Sequence, residues 1–378
     1  MIKIQHPHLN NIAETYFTGV QPLCKEKSSF FLTFLDVLIN GTDTQTIRDH
    51  SLNGNSKRPL VNKFLTVPPL PDQKNYHLVT PASVMPSLIT NIIQINNMVT
   101  YLDDSNNLKE IILVRPENAA TLNTQLKNRF GISNANKAIF YRVLNEIIYY
   151  SFFNRFAYGI ASILGLSTCP YCNRNFIHTV IDDDADEVIR PTFDHFFSQV
   201  DHPFLSLSFY NLIPSCYHCN SNLKGEVEMT LDTHIHPYLE GFDRDAIFYV
   251  LIKDLLPDKS DARNYTLTIV NKQFPKGLKF RRIFGLIPAE GNVNLFRLVD
   301  IYRAHLDVVG ELVVKCDRLS KGYANSLMNL FPGLHMNQSE FYRFYFGNYF
   351  DEKDFHRRPL AKMSKDVVLQ VLPSFLKY

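Results

Sequence analysis

Two C-x-x-C pairs place the strongest constraint on how this chain folds. Cys169 and Cys172 form the first pair, and Cys216 and Cys219 form the second. A C-x-x-C turn directs two thiolates to one point, so a second turn completes a tetrahedral four-sulfur site. Zinc suits such a site because it accepts four thiolates without redox chemistry and contributes folding energy. The sequence therefore predicts a structural zinc ion.

Other roles for these cysteines are less consistent with the sequence. A single C-x-x-C can be a redox motif, but two pairs that flank polar residues favour a metal. His218, inside the second pair, is an alternative ligand, although four cysteines already suffice. Cys24 and Cys316 stand apart from the pairs. This usage differs from a disulfide framework, so we expect a cytoplasmic protein.

The composition is that of an ordinary globular protein. The 378 residues are 45% hydrophobic and 20% charged, with a formal net charge of +2. This length favours two or three domains, and this charge confines any nucleic-acid surface to a local patch. The sequence has no apolar stretch of membrane-spanning length and no secretory leader pattern, so we expect no membrane contact.

The periodicity of apolar residues predicts an α+β protein with three regions. Residues 1–165 are expected to be mainly helical, 166–240 to form the cysteine-bearing module, and 241–378 to combine strands and helices. Ala138–Leu164 is predicted as one helix and Ile111–Val114 as a short strand. The last region is predicted to contain two strands and three helices: Ala246–Leu251, Tyr265–Val270, Phe296–Leu319, Ser339–Tyr349 and Ser364–Phe375.

Between the cysteine pairs the sequence predicts a β-hairpin. Phe176–Ile181 alternates, an acidic run turns the chain, and Val188–Phe193 returns. The acidic run lacks the Gly and Glu spacing of a calcium loop and is predicted to be solvated. Asp194 and His195 directly follow the second strand.

Four polar residues supply the groups that a one-metal phosphodiesterase needs. His195 has the imidazole of a general base, which is neutral in a large share of molecules at physiological pH. Asp194 offers a carboxylate oxygen for Mg²⁺ or Mn²⁺, and Asn220 offers an amide oxygen directly after Cys219. Asn211 precedes the second cysteine pair. These residues predict hydrolysis of a phosphodiester bond.

The order of these residues resembles the HNH superfamily of ββα-metal endonucleases. The resemblance covers roughly residues 165–240. It implies a ββα-metal HNH nuclease module with four-cysteine zinc knuckles, embedded in mostly α-helical flanking regions. It also implies that His195 activates water, that Asp194 and Asn220 hold the catalytic metal, and that Asn211 braces the loop and orients His195.

The sequence also contains D-H-F, followed by H-P-x-L and then by Y-N-L-I-P-S-C-x-x-C-N-x-x-x-K-G. This finer pattern resembles HNH proteins of bacterial anti-phage systems, including Septu and certain retron systems. It implies a DNA endonuclease of antiviral defence. The expected partners are DNA, an ATPase or other regulator, and further copies of the chain. An HNH-type nuclease acting on RNA or tRNA and a non-catalytic zinc module that binds nucleic acid are the alternatives.

Three features of the sequence bear on where the reaction and the nucleic acid are placed. Asp201 and His202 form a second Asp-His pair, but they lie in the loop expected between the two strands, so Asp194 and His195 are preferred. Lys224 lies where HNH proteins often have a basic residue near the scissile phosphate. The segment 271–282 combines five cations with two phenylalanines and is predicted to contact nucleic acid, with a solvated sheet edge as the alternative. Its cations are Lys272, Lys276, Lys279, Arg281 and Arg282.

Overall fold

A computed structural model confirms that the chain has an α+β fold. The structure describes residues 1–39, 81–148, 152–183, 187–271, 278–319, 323, 326 and 336–377. The chain divides into two compact units, and each is discontinuous in sequence. One, here called the helical unit, contains Asn10–Ala157 and Phe197–Asn211. The other, here called the cysteine unit, contains Met1–Leu9, Tyr158–Phe196 and Leu212–Tyr378. Residues of the predicted 166–240 module therefore occur in both units.

Helices form most of the first part of the chain. Their bounds are α1 Leu9–Ile39, α2 Pro81–Thr90, α3 Ile92–Asp103, α4 Ser105–Ile112, α5 Pro116–Arg129, α6 Lys137–Ile147 and α7 Asn154–Leu164. The predicted helix Ala138–Leu164 is therefore present as two helices, α6 and α7. Ile148 follows α6 with φ −103° and ψ 56°, which is outside the helical region.

The predicted strand at Ile111–Val114 is wrong, because Ile111 lies within α4. The Asp104 side chain caps this helix by accepting hydrogen bonds from the backbone N–H groups of Asn106 and Asn107, both at 2.9 Å. The helix buries Leu108, Ile111 and Ile112 on one face. A run of four apolar residues fits either a buried strand or a helix face, and here the upstream cap favours the helix.

Residues 197–211 form a loop within the helical unit, with short 3₁₀ turns at Pro203–Leu205 and Phe209–Asn211. Side chains anchor the loop to the helices. The Ser208 hydroxyl donates to the Ile111 carbonyl at 2.6 Å, and the Tyr16 hydroxyl donates to the Leu207 carbonyl at 3.0 Å. These hydrogen bonds supply partners to carbonyl groups of α4 and of the loop.

Three antiparallel strand pairs lie in the described residues of the cysteine unit. The bounds are β1 Val180–Ile181, β2 Glu187–Ile189, β3 Thr192–His195, β4 Leu212–Ser215, β5 Ala246–Ile252 and β6 Tyr265–Asn271. β1 pairs with β2, β3 with β4, and β5 with β6. The two predicted strands beyond the cysteines are confirmed as β5 and β6. The predicted hairpin is present in a shorter form as β1 and β2.

The rest of the cysteine unit is mainly helical. Its helices are α8 Leu278–Phe284, α9 Asn292–Leu295, α10 Leu298–Arg303, α11 Leu306–Arg318, α12 Gln338–Phe346 and α13 Ala361–Val371, with short 3₁₀ segments at Ala262–Asn264, Glu352–Arg357 and Pro373–Lys377. The predicted helix Phe296–Leu319 is present as α10 and α11, and the other two predicted helices correspond to α12 and α13. Within the described ranges, no helix is both long and apolar enough to cross a bilayer.

Helix α13 covers the outer edge of β5. The Asp366 carboxylate accepts from the Phe248 N–H at 2.9 Å. The Gln370 amide accepts from the Val250 N–H at 2.9 Å and donates to the Val250 carbonyl at 2.7 Å. These side chains take the hydrogen-bonding positions of an additional strand, so this edge is closed to pairing with another chain.

Candidate functional site

The four cysteines of the two C-x-x-C pairs converge in the cysteine unit. The sulfurs of Cys169, Cys172, Cys216 and Cys219 all lie within 4.8 Å of one another, and all four residues are buried. The Sγ atoms of Cys172 and Cys216 are 4.0 Å apart. The predicted pairing of the two turns is confirmed, and His218, which is exposed, is not part of the cluster.

Local backbone geometry brings the first cysteine pair together. Asn173 has φ +48°, a left-handed conformation that asparagine tolerates better than most residues. Its N–H donates to the Cys169 carbonyl at 2.7 Å, and the Cys169 N–H donates to the Asn175 carbonyl at 3.0 Å. The Arg174 N–H donates to the Cys172 sulfur at 3.4 Å. The turn therefore supplies an N–H donor that stabilises a thiolate.

The side chain of Asn173 also joins this turn to the C-terminal part of the unit. It is fully buried, and its amide donates to the carbonyls of Phe355 at 2.9 Å and Arg358 at 3.3 Å. Its carbonyl oxygen accepts from the Lys362 N–H at 3.1 Å. These partners lie almost the length of the unit away in sequence, so Asn173 was not among the predicted site residues.

The electrostatics of the cluster fit a cation. Hydrogen bonds from Cys169 and the other two cysteines lower the pKa of the Cys216 thiol, whereas burial raises the pKa of the Cys169 thiol. Four buried thiolates repel one another unless a positive charge lies between them. A zinc ion with tetrahedral thiolate coordination meets this requirement, and the donor set matches a structural zinc site.

The second cysteine pair lies where the second strand of a strand–strand–helix arrangement joins the helical segment. β3 pairs with β4 so that Asp194 faces Ile213 and His195 faces Leu212. Cys216 follows β4, and a π-helical segment, His218–Lys224, begins two residues later. This segment contains Cys219, Asn220 and Lys224. The predicted strand Val188–Phe193 is therefore divided between β2 and β3, and Asp194 and His195 are the last two residues of β3.

Asp194 is buried between two polar side chains. Its Oδ1 accepts from the Lys224 ammonium at 2.8 Å, and its Oδ2 accepts from the Tyr171 hydroxyl at 2.7 Å. Lys224 also donates to the His195 carbonyl at 2.6 Å. The side chains of Lys224 and Asp194 are 4% and 3% exposed. The end of β3 is thus fixed to the π-helical segment by an ion pair inside the protein.

This ion pair affects the roles predicted for both of its members, Asp194 as a metal ligand and Lys224 as a residue near the scissile phosphate. The Lys224 ammonium occupies one oxygen of the carboxylate that was predicted to bind Mg²⁺ or Mn²⁺, and two cations repel strongly at such a distance in a buried site. Lys224 was expected beside a substrate phosphate, but its ammonium is held inside the unit. In this conformation the Asp194 carboxylate is not open to a divalent metal.

Tyr171 is a site residue that sequence reasoning missed. It lies between the cysteines of the first turn, is fully buried, and its ring stacks on Phe296 with the centroids 4.5 Å apart. Burial, and to a smaller extent the negative charge of Asp194, raises the pKa of Tyr171 well above its ordinary value. The hydroxyl therefore remains protonated and acts as a donor. Its position inside C-P-Y-C is the sequence signal that links it to the site.

The remaining predicted catalytic residues have different surroundings. His195 and Asn220 are partly exposed. Asn220 donates its N–H to the Cys216 carbonyl at 3.0 Å. The second Asp-His pair lies in the helical unit, where the Asp201 carbonyl accepts from the Asn123 amide at 3.3 Å and the His202 ring lies 5.2 Å from the Phe197 ring.

Asn211 makes the loop-bracing contacts expected of it. Its Oδ1 accepts from the Phe197 N–H at 2.7 Å, and its Nδ2 donates to the carbonyls of Phe197 at 3.0 Å and Leu205 at 3.1 Å. The residue is 2% exposed. One side chain therefore closes both ends of the loop 197–211. The predicted effect of Asn211 on the orientation of His195 remains a prediction.

Replacing Asn211 by alanine is expected to destabilise the helical unit by about 2–3 kcal/mol, because three buried backbone groups lose their partner. Urea unfolding followed by circular dichroism measures this loss. Asn123→Ala is the matched control, since Asn123 is equally buried but donates one longer bond. Equal destabilisation by the two variants would contradict the bracing role.

The described basic residues of the segment 271–282 are engaged in ion pairs. Lys279 pairs with Asp245 and, at 3.6 Å, with Glu240. The Arg281 Nε donates to Glu290 at 3.0 Å, and Arg282 pairs with Glu240. Lys272 and Lys276 lie outside the described residues. Nucleic-acid contact by this segment remains a prediction, and its described cations are already partly neutralised.

Comparison of the chain with models of known protein families finds no match, and comparisons with curated proteins and with solved structures find none either. Function is therefore inferred from the residues and their geometry.

Proposed function

We propose that this protein is a metal-dependent HNH-type endonuclease that hydrolyses phosphodiester bonds of DNA and contains a structural zinc ion. The supporting observation is the order of elements around the candidate site. Asp194 and His195 end β3, and β4 runs antiparallel to it and leads through Cys216 into the segment that contains Asn220. This order, beside a four-cysteine cluster, is what the resemblance to HNH endonucleases implies.

In this proposal His195 is the general base. Its partly exposed imidazole accepts a proton from the attacking water, and the antiparallel pairing with Leu212 fixes the backbone from which the ring extends. Asn211 contributes as a positioning residue by closing the loop that begins two residues after His195. A role in antiviral defence together with an ATPase or other regulator belongs to the same proposal and rests on the sequence pattern.

A divalent cation, when bound, would neutralise the charge that develops on the leaving 3′ oxygen. Asp194 and Asn220 are the proposed ligands. Because the Lys224 ammonium lies 2.8 Å from Asp194, it has to release this carboxylate before a divalent cation binds there. The exchange of one cation for another is therefore a condition of the proposed metal dependence.

The same ion pair favours a second candidate function, a zinc module that binds nucleic acid without cleaving it. In that case Asp194 and Lys224 are a permanent structural pair, and His195 has no catalytic role. The two candidates differ in whether His195 matters for cleavage.

Replacing His195 by alanine is expected to lower the rate of plasmid cleavage by at least about 100-fold, because general-base catalysis typically contributes that much. The measurement is nicking or linearisation of supercoiled DNA by the purified chain with Mg²⁺, Mn²⁺ or EDTA. His202→Ala is the matched control, since it removes the histidine of the other Asp-His pair and is expected to cleave like the wild type.

Each outcome of this assay separates the candidates. Loss of cleavage in His202→Ala with retention in His195→Ala would transfer catalysis to the second pair. If the wild-type chain cleaves RNA but not DNA, the ribonuclease alternative is favoured. Absence of metal-dependent cleavage of any nucleic acid, with or without a co-purified partner, would favour the non-catalytic module.

A further inference from the structure

A groove beside the cysteine cluster has features of a nucleobase site. Its volume is about 460 Å³, and it lies along the start of β3 and the end of β4. The side chains that matter for its chemistry are Phe176, His178, Arg190, Ser215, Tyr217 and His218. All of them belong to the cysteine unit.

Aromatic rings are unusually exposed in this groove. Phe176 is 57% exposed and Tyr217 is 61% exposed. The Phe176 ring stacks on the His178 ring with the centroids 4.7 Å apart and an angle of 24° between the planes. Exposed rings that are already arranged as a stack provide a flat surface to which a further planar group can be added.

The backbone positions of both exposed rings are fixed by the two cysteine turns. Phe176 forms a bridge with Thr168, next to the hydrogen bond from Cys169 to Asn175. Tyr217 lies between Cys216 and Cys219. The rings are therefore attached to a constrained part of the unit, which reduces the entropy lost when a ligand binds to them.

Polar groups suited to a nucleotide accompany the rings. Arg190 lines the groove, where its guanidinium donates to the Pro191 carbonyl at 3.0 Å and lies over the Tyr158 ring. Its positive charge can attract a phosphate. The Ser215 hydroxyl is buried and has no hydrogen-bond partner in the described part of the chain. A base edge that reaches this hydroxyl would supply the missing hydrogen-bond partner.

We propose that this groove binds an unpaired nucleobase of single-stranded nucleic acid, stacked against Phe176 and Tyr217, with the adjacent phosphate near Arg190. Thr192 lines the groove and lies three positions before His195 on β3, which corresponds to about 10 Å along the strand. The inference rests on the proposed nuclease function and extends it by naming an unpaired strand as its substrate, but base binding is measurable without cleavage.

The test measures binding of a fluorescently labelled single-stranded DNA oligonucleotide by anisotropy, using the full chain with His195→Ala so that the probe stays intact. Phe176→Ala and Tyr217→Ala are each expected to weaken binding about tenfold, the effect typical of losing one stacked ring. Tyr217→Phe keeps the ring and is expected to retain wild-type affinity. Zinc content and circular dichroism confirm that each variant is folded.

Phe344→Ala is the matched control, because Phe344 is 54% exposed on α12 and does not line the groove. It is expected to bind like the parent protein. An RNA strand of the same sequence should bind comparably, since stacking does not depend on the sugar, whereas the duplex should bind more weakly because its bases are already stacked.

The inference would be overturned if both alanine variants bind with the affinity of the parent protein, or if Phe344→Ala loses as much affinity as they do. Equal affinity of the parent protein for duplex and single strand would also overturn it and leave the groove as a surface for a partner protein. If His195→Ala still cleaves plasmid while the groove variants lose binding, the nuclease assignment of His195 fails and the base site stands.

Discussion

Replacing Cys216 by serine is expected to remove the zinc ion and to unfold much of the cysteine unit. The four sulfurs lie within 4.8 Å of one another in a buried cluster, so a single lost ligand leaves three thiolates without a closed coordination shell. Binding of a structural zinc ion contributes about 10–16 kcal/mol at neutral pH. This is comparable to the whole net stability of a domain, about 5–15 kcal/mol, so loss of the zinc ion is enough to unfold the unit.

Zinc content per chain, measured by mass spectrometry of the purified protein, and the unfolding transition test this expectation. Cys316→Ser is the matched control. Burial raises the pKa of the Cys316 thiol to about 12, so it stays protonated and is a poor metal ligand. The control is expected to keep its zinc. A soluble Cys216→Ser protein with a full complement of zinc would refute the four-cysteine site.

Replacing Lys224 by alanine is expected to destabilise the protein by about 3–5 kcal/mol, the usual cost of leaving one partner of a buried ion pair uncompensated. Asp194 would then keep a hydrogen bond from Tyr171 but lose the ammonium 2.8 Å from its other oxygen. The free energy of unfolding in urea measures the loss. The double variant Asp194→Asn with Lys224→Met should recover most of it, because no buried charge remains.

Lys259→Ala provides the comparison for this experiment. Lys259 pairs with Asp317 at the same 2.8 Å distance, but both side chains are more than half exposed. Water already solvates such a pair, so the midpoint of unfolding is expected to remain unchanged. If Lys224→Ala is as stable as Lys259→Ala, the ion pair with Asp194 is not formed inside the protein.

Local patterns in the sequence were sufficient to predict several parts of the site. The cysteine spacing predicted the cluster, because each C-x-x-C turn is a local structure and two of them together complete a four-sulfur site. Alternation of apolar residues predicted β5 and β6, and the Asp-His pair was correctly placed at the end of a strand. These features depend on neighbouring residues, whose patterns are visible in one sequence.

Contacts between distant residues were not predictable in the same way. Whether Lys224 is solvated or buried depends on Asp194 and Tyr171, which lie 30 and more residues upstream. Arg282 pairs with Glu240, 42 residues away, and a single sequence does not reveal such partners. The assignment of residues 197–211 to the helical unit likewise depends on tertiary contacts, such as that between Ser208 and Ile111.

The hydrogen bonds of Asn173 have a consequence for how the chain acquires its structure. Its partner at Lys362 is 189 positions away in sequence. At a synthesis rate of about 5–20 residues per second, the first cysteine turn waits roughly 10–40 s for that partner to emerge. During this interval its two thiols remain in an incompletely folded chain. Metal supply and thiol oxidation in the cell therefore compete before the unit is complete, and the yield of folded protein depends on which occurs first.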